Sequence, residues 1–364
     1  MTDYVALLRR IAVPRLAGSV QQALLLPLLE GQLAERGLVV ERRPCVVSPA
    51  SIELTGWLGM MVALMAAAGA VFPRTYPSPA QAANVVLFLS ALALLFVATP
   101  PLRAGIVRDV RTVGGINLVA RRPGDQPRIW LTAHYDSKGQ LLSMAARLAA
   151  VVLATAGWIG LVALAVLDRA GAAAAPSVWL AAALPAGVGG VGLLACRWLR
   201  DSPGAVDNAS GIITILAILD ALHSPAGVGV ILPDGEEYGL AGAQVLVREA
   251  PELFRDAAVI NFDGIDDTGP TIALTHRPGP VADAVAGALA ARRARRLPVL
   301  VDGMVFGRVA RECVTIMRGG LATMRVVHTR RDTPDRLMLK GVGTVAAGVA
   351  GALRNAEFGM RNAE

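Results

Sequence analysis

The chain is poor in charge. Only 17% of its 364 residues are Asp, Glu, Lys or Arg, against about 25% in an average soluble domain. Lysine is nearly absent: Lys138 and Lys340 are the only two, so the net charge of +7 is almost all arginine. Aromatic residues make up 4%, too few for the stacking platforms that hold single-stranded nucleic acid. No arginine block is interleaved with aromatics, so the pI of about 10 is not a nucleic-acid footprint. Three scattered cysteines, Cys45, Cys196 and Cys313, exclude a disulfide framework and a cysteine zinc cage. The stretch Leu24 to Leu29 is short, broken by Pro27 and without a small-residue cleavage site, so no secretory leader is expected there. Apolar surface is in excess: 54% of residues are hydrophobic and the mean hydropathy is +0.52. That excludes a disordered chain and points to membrane segments diluting a soluble domain.

Four uncharged runs are candidates. They comprise 20 residues between Glu53 and Arg74, 23 from Ala80 to Leu102, 20 from Leu148 to Leu167, and 27 from Ala170 to Cys196. A helix needs about 20 apolar residues to cross the hydrocarbon core, and buried core helices usually show a polar stripe. Gly187, Gly189, Gly190 and Gly192 weaken the fourth run as a helix but suit close helix packing. The runs are expected to form two hairpins, 54–102 and 148–196, joined by short loops from Pro73 to Pro79 and from Asp168 to Pro176. Arg42, Arg43, Arg103, Arg108, Arg111, Lys138, Arg147, Arg197 and Arg200 flank the other side, against Arg74 and Arg169 on the loop side. This bias places the main domain in the cytoplasm, on the plasma membrane of a prokaryote. The lack of charge within the runs disfavours a transporter.

The polar remainder, 1–53, 103–147 and 197–364, alternates β-like and helical stretches. Strands are expected at Val39–Val47, Ile116–Ala120, Arg128–Ala133, Gly227–Leu232, Ala257–Phe262, Thr271–Leu274, Val314–Met317 and Met324–Val327. Helices are expected from Asn208 to about Leu222, Gly239–Ala250, Val281–Arg295 and Gly341–Asn355. Such alternation predicts an α/β domain with a mixed sheet and helices on both faces.

Polar motifs gather where strands should end, which is where sites form in such sheets. They are His134-Tyr-Asp136, Asp207-Asn208, Glu236-Glu237, Asp263, and His328 with Asp332 and Asp335. Each alone has an ordinary explanation; Asp207, for example, could be a helix N-cap. Together, two histidines and several carboxylates supply the nitrogen and oxygen ligands of a two-metal site. His223 and His276 have no partner motif and read as surface or loop residues.

The set resembles the co-catalytic zinc peptidases that include aminopeptidase Y, bacterial leucyl aminopeptidases and glutamate carboxypeptidase. The resemblance rests on Ala133-His-Tyr-Asp-Ser137, Gly204-Ala-Val-Asp-Asn-Ala-Ser-Gly211, Gly235-Glu-Glu-Tyr-Gly-Leu-Ala-Gly-Ala243, Asn261-Phe-Asp263, and His328-Thr329 with Asp332. Arg15 with Gly18-Ser19 looks like the family's N-terminal segment. The resemblance implies a three-layer zinc-aminopeptidase (phosphorylase/hydrolase-like) fold with a mixed central sheet, here carrying four inserted transmembrane helices. It implies two Zn(2+) ions per chain, with manganese or cobalt also suited to the ligands. His134 and Asp263 would hold one ion, Glu237 and His328 the other, and Asp207 would bridge. Asp136 would orient His134, and Glu236 would be the general base. The implied activity is removal of N-terminal residues from peptides. Alternatives are a carboxypeptidase or dipeptidase, a glutaminyl cyclase of the same fold, or a non-catalytic membrane scaffold. No ligand is missing, as it would be in a degenerate relative, and the retained histidines and glutamates favour a peptidase over a one-zinc cyclase. The family's late Ser-Asp-His loop is replaced by Val301-Asp302-Gly303, and the hairpins are extra, so the substrate is expected to be a short or membrane-associated peptide reached at the bilayer surface.

Overall fold

A computed structural model describes residues 2–48, 50–75, 80–98, 112–196, 198–223 and 225–361. It divides into two compact units: Met1–Ser48, Thr112–Gly139 and Leu199–Glu364 form one, and Pro49–Arg111 with Gln140–Trp198 form the other.

The first unit is built on an eight-stranded mixed sheet. Its strands are β1 (Val39–Val47), β2 (Val113–Arg121), β3 (Ile129–Thr132), β4 (Val228–Leu232), β5 (Ala258–Ile265), β6 (Thr271–Arg277), β7 (Arg292–Ala294) and β8 (Glu312–Arg318). They lie in the order β1-β2-β4-β3-β5-β8-β6-β7. The central strands β4, β3, β5 and β8 are mutually parallel, while β2 pairs antiparallel with β1 and β4. Side chains alternate across the sheet, as the two-residue period of a strand requires. Leu131, Val230, Ile260 and Val314 enter one core; Trp130, Ile231, Val259 and Cys313 enter the other. The first core is covered by α1 (Tyr4–Ile11), α2 (Val20–Ala34), α7 (Ser210–Leu222), α9 (Pro280–Ala288) and α12 (Lys340–Arg361). The second is covered by α8 (Ala241–Glu249) and α10 (Gly303–Phe306). The result is three layers, helix–sheet–helix.

Two expected elements differ. Val281–Arg295 is not one helix: α9 ends at Ala288, Ala290 takes φ +44°, and Arg292–Ala294 pairs with Ile272–Leu274 as the edge strand β7. Met324–Val327 is not a strand. A short helix, α11 (Leu321–Met324), continues into a turn, with the Val326 and Val327 amides bonding back to the Thr323 carbonyl.

The second unit contains α3 (Ala50–Thr75), α4 (Ala80–Ala98), α5 (Met144–Arg169) and α6 (Pro176–Ala195). Proline opens α6, where its missing N–H costs no helical bond. Its core is Met61, Met65, Ala82, Ala83, Val86, Leu161, Ala165, Trp179, Ala183 and Ala186. Backbones approach closely at glycine: a Cβ on Gly157 would lie 2.2 Å from the Ala186 nitrogen, and one on Gly189 2.2 Å from the Ala154 nitrogen. Among the described residues three helices are long and apolar enough to cross a membrane: Met144–Arg169, Pro176–Ala195 and Ala205–Leu222. The last is 78% buried inside its own unit, so it is a core helix. Thr55–Val71 and Gln81–Leu95 are shorter apolar helices. Of the positions expected to set topology, Arg103, Arg108, Arg111 and Arg197 lie outside the described residues, as does most of the loop before Pro79.

Candidate metal centre

Parallel strands deliver the site. His134 follows β3, Glu236 and Glu237 follow β4, and Asp263 lies within β5. Because β4, β3 and β5 are adjacent and parallel, their carboxyl ends carry these residues to one edge of the sheet. Asp207 comes from the turn that opens α7, and His328 from the turn after α11, where it holds φ +65°. A side chain with a Cβ rarely adopts that backbone, and such outliers gather at functional sites.

The residues expected from the sequence come together in two groups. His134, Glu236 and Asp263 offer ligand atoms within 4.8 Å of one another, and so do Asp207, Glu237 and His328. Asp207 stands between the two histidines: Oδ1 is 3.1 Å from Nε2 of His134 and Oδ2 is 2.9 Å from Nε2 of His328. The same Nε2 of His328 is also 3.2 Å from Glu237 Oε1.

Asp136 organises the other side. Its Oδ1 is 3.3 Å from Nδ1 of His134. The same carboxylate accepts the backbone N–H groups of Glu236 and Glu237, each at 3.2 Å. One side chain thus orients a histidine and the glutamate pair together. The Asp207 turn is gripped by Asp332, whose carboxylate accepts the N–H groups of Val206 at 2.8 Å and Asp207 at 3.2 Å. Asn208 donates to the Phe262 carbonyl at 2.8 Å and accepts from Gly264 at 3.2 Å, tying that turn to β5.

The electrostatics divide the carboxylates. Burial pushes Glu236 well above the usual range against the pull of His134, with Glu237, Asp263 and Asp302 pushing the same way as burial. Burial and the Asp207 charge raise Asp263 to about 7. Burial also works against ionised Glu237, but His328 and Lys138 outweigh it and bring that group down to about 2. Asp207 likewise falls well below the usual range, held ionised against burial by its two histidines. The site therefore sets Glu237 and Asp207, held ionised, beside Glu236 and Asp263, which burial biases toward the protonated form.

The donor set fits divalent metal: imidazole nitrogen and carboxylate oxygen suit zinc. Nε2 of His134 and Oε1 of Glu237 make no hydrogen bond among the described residues; they face other candidate ligands, Asp207 at 3.1 Å and His328 at 3.2 Å. A buried polar atom left without a hydrogen bond costs about 1–3 kcal/mol, and a shared metal ion would satisfy both.

Sequence reasoning missed three residues here. Lys138 was counted among topology-setting charges, yet it is 8% exposed and forms an ion pair with Glu237 Oε2. Asp302 is 1% exposed, neither carboxylate oxygen has a hydrogen bond among the described residues, and burial lifts it to about 8. It occupies an N-cap position without capping, although Asp is a preferred cap. Its place in the replaced late loop was the available signal. The third, Arg15, stood out in the sequence only as a mark of the N-terminal segment; its guanidinium is fully buried. His276, read as a surface or loop residue, belongs to neither ligand group; it lies on β6 and its Nε2 is 2.9 Å from the Thr315 hydroxyl.

A mixed sheet that gathers carboxylates and histidines at the carboxyl ends of its parallel strands defines a metallohydrolase. The profile of peptidase family M28 matches residues 117–353, and the chain belongs to that family, among zinc-dependent, aminopeptidase-like hydrolases. Solved structures share the fold. The aminopeptidase of Aneurinibacillus sp. strain AM-1 aligns with a TM-score of 0.55 and 13% identity, covering 96% of this chain and 92% of that one. The Bacillus subtilis zinc aminopeptidase BSAP aligns at 0.57 and 14% identity, covering 97% and 94%. The Porphyromonas gingivalis glutaminyl cyclase aligns at 0.56 and 14%, covering 97% of each. No curated protein sequence matches.

Proposed function

We propose that the protein is a membrane-anchored di-zinc aminopeptidase. The observation that carries this reading is Asp207, whose two carboxylate oxygens each face a different histidine, each histidine belonging to a separate ligand group. His134 and Asp263 would hold one ion, Glu237 and His328 the other, and Asp207 would serve both. Two metal ions there would lower the pKa of a water and polarise the scissile carbonyl. Glu236 takes the proton of the attacking water and returns it to the departing amine. Its raised affinity for a proton suits both halves of that transfer. Asp136 holds His134 and both glutamate amides so that these groups stay in register.

The choice of the N-terminal end draws on the fold shared with the two aminopeptidases. The glutaminyl cyclase reading draws on the fold shared with the cyclase. The two chemistries part in the product: water enters during peptide hydrolysis, whereas cyclisation expels ammonia from an N-terminal glutamine. Membrane anchoring rests on α5 and α6 as spans, with the runs at 54–102 as a further hairpin and the catalytic unit on the cytoplasmic side.

Metal analysis and an activity screen test this together. The zinc-loaded protein should carry two zinc ions and cleave peptides with free N-termini but not N-acetylated ones. Fewer than one zinc per chain, or conversion of N-terminal glutamine peptides solely to pyroglutamyl peptides and ammonia, would overturn the reading.

A further inference from the structure

Arg15 lies between α1 and α2, ahead of the residues that the family profile matches. Its side chain is fully buried, yet among the described residues it forms no salt bridge. Every side-chain donor that bonds goes to backbone. Nε donates to the Tyr135 carbonyl at 2.7 Å, Nη1 to those of Val13 at 3.2 Å and Pro203, and Nη2 to that of Gly204 at 2.9 Å. Tyr135 sits between His134 and Asp136. Pro203 and Gly204 lead into the turn that carries Asp207. The backbone continues the strap: the Arg15 N–H donates to the Ser137 hydroxyl at 3.1 Å, and that hydroxyl donates to the Ser202 carbonyl at 3.1 Å.

We propose that Arg15 is a positioning residue whose guanidinium fork spans the His134 loop and the Asp207 turn, setting their separation and hence the metal affinity of the centre. The proposal rests on the di-zinc reading above. Only a guanidinium presents several donors in one rigid plane, so lysine cannot span both loops. The receiving surface is equally constrained. Gly204 adopts φ +60°, and a Cβ there would lie 2.4 Å from the Asp207 carbonyl oxygen and 3.1 Å from Arg15 Nη1. The charge is also placed to matter, because the acidic groups acting on Arg15 are Asp332, Asp136, Asp207 and Glu237, all of them in the centre or gripping it.

The test is a zinc titration of the full-length protein in detergent against a competing chelator, on wild type, Arg15→Lys, Arg15→Met and Ser137→Ala, each with its apo Tm. Loss of outer contacts around metal ligands typically weakens binding by about 10–100-fold. Arg15→Lys and Arg15→Met should both lose zinc affinity on that scale, and Ser137→Ala should lose less, severing only the hydroxyl link. A residue that merely supplied charge would be rescued by lysine. One that merely stabilised the fold would lower Tm and leave the zinc affinity of the folded protein unchanged. If the Arg15 variants do not fold, Ser137→Ala decides alone. Wild type that binds zinc, with the folded variants matching its affinity, overturns the proposal and spares the di-zinc reading. Wild type that binds no zinc overturns both.

Discussion

The two units bury opposite things. The catalytic unit encloses polar groups: Arg15, Asp136, Asn208, Asp234 and Asp332 are all at 0% exposure. Each is held by hydrogen bonds, as buried polar atoms must be; Asp234, for one, accepts the Ile116 N–H at 2.9 Å and the Tyr135 hydroxyl at 3.0 Å. The helical unit encloses mainly small residues such as Ala150, Ala154, Gly157, Ala183 and Gly189. Met65, Leu161 and Trp179 are buried with them, but many large apolar side chains face outward, with Val152 at 58%, Ile159 at 59%, Val188 at 61% and Phe88 at 68% exposure. Small residues at helix contacts and large apolar ones outside are what packing in lipid rewards. One chain therefore uses two stabilisation schemes. In one, polar satisfaction decides the cost of a substitution. In the other, the closeness of helix backbones does.

Substitutions can break that contrast. The largest effect belongs to Glu236→Gln, which keeps shape and removes the proposed proton carrier. Hydrolysis should fall by about 10²–10⁴-fold, with zinc content unchanged by elemental analysis. Retained activity would remove Glu236 from the chemistry. Next comes Gly157→Leu in the helical unit, where even a Cβ meets the Ala186 nitrogen at 2.2 Å. Overpacking of this kind costs about 1–3 kcal/mol. It should appear as a lower Tm in detergent, while zinc content of the folded protein stays constant. The smallest effect is a pH slope confined to the catalytic unit. Burial lifts Asp234 from 3.8 to about 7, so the folded protein favours its protonated form. Its contribution is full below about pH 4 and is lost as pH rises through 7. The Tm advantage of wild type over Asp234→Asn, both in the apo form, should shrink between pH 5 and pH 8.

Much of the site was legible in the sequence because its chemistry is carried by rare residues at strand ends. All seven expected positions fall in the two clusters or, for Asp136, directly against them. What was not legible depended on contacts distant along the chain. The Met-Arg-Val-Val run before His328 has the β-branched look of a strand, but its amides turn back to the Thr323 carbonyl. The Ala- and Arg-rich stretch after Ala288 carries no helix-stop signal, and only pairing with β6 makes it a strand. Lys138 reads as a surface charge until Glu237, 99 positions later, is found against it. The stretch 205–222 is apolar enough to cross a membrane by length and composition, yet the sequence already reads Asn208 to about Leu222 as a helix of the α/β domain, and its burial there agrees.

The grip of Asp332 on the Asp207 turn has a consequence in time. Residues 205–207 depend for their anchoring on a carboxylate and a carbonyl that lie about 125 positions downstream. Chains emerge from the ribosome amino end first, so both helical hairpins are made long before that anchor exists. His328 itself arrives only a few residues ahead of it. A chain truncated before His328 would lack one of the proposed metal ligands together with the Asp332 anchor of the Asp207 turn.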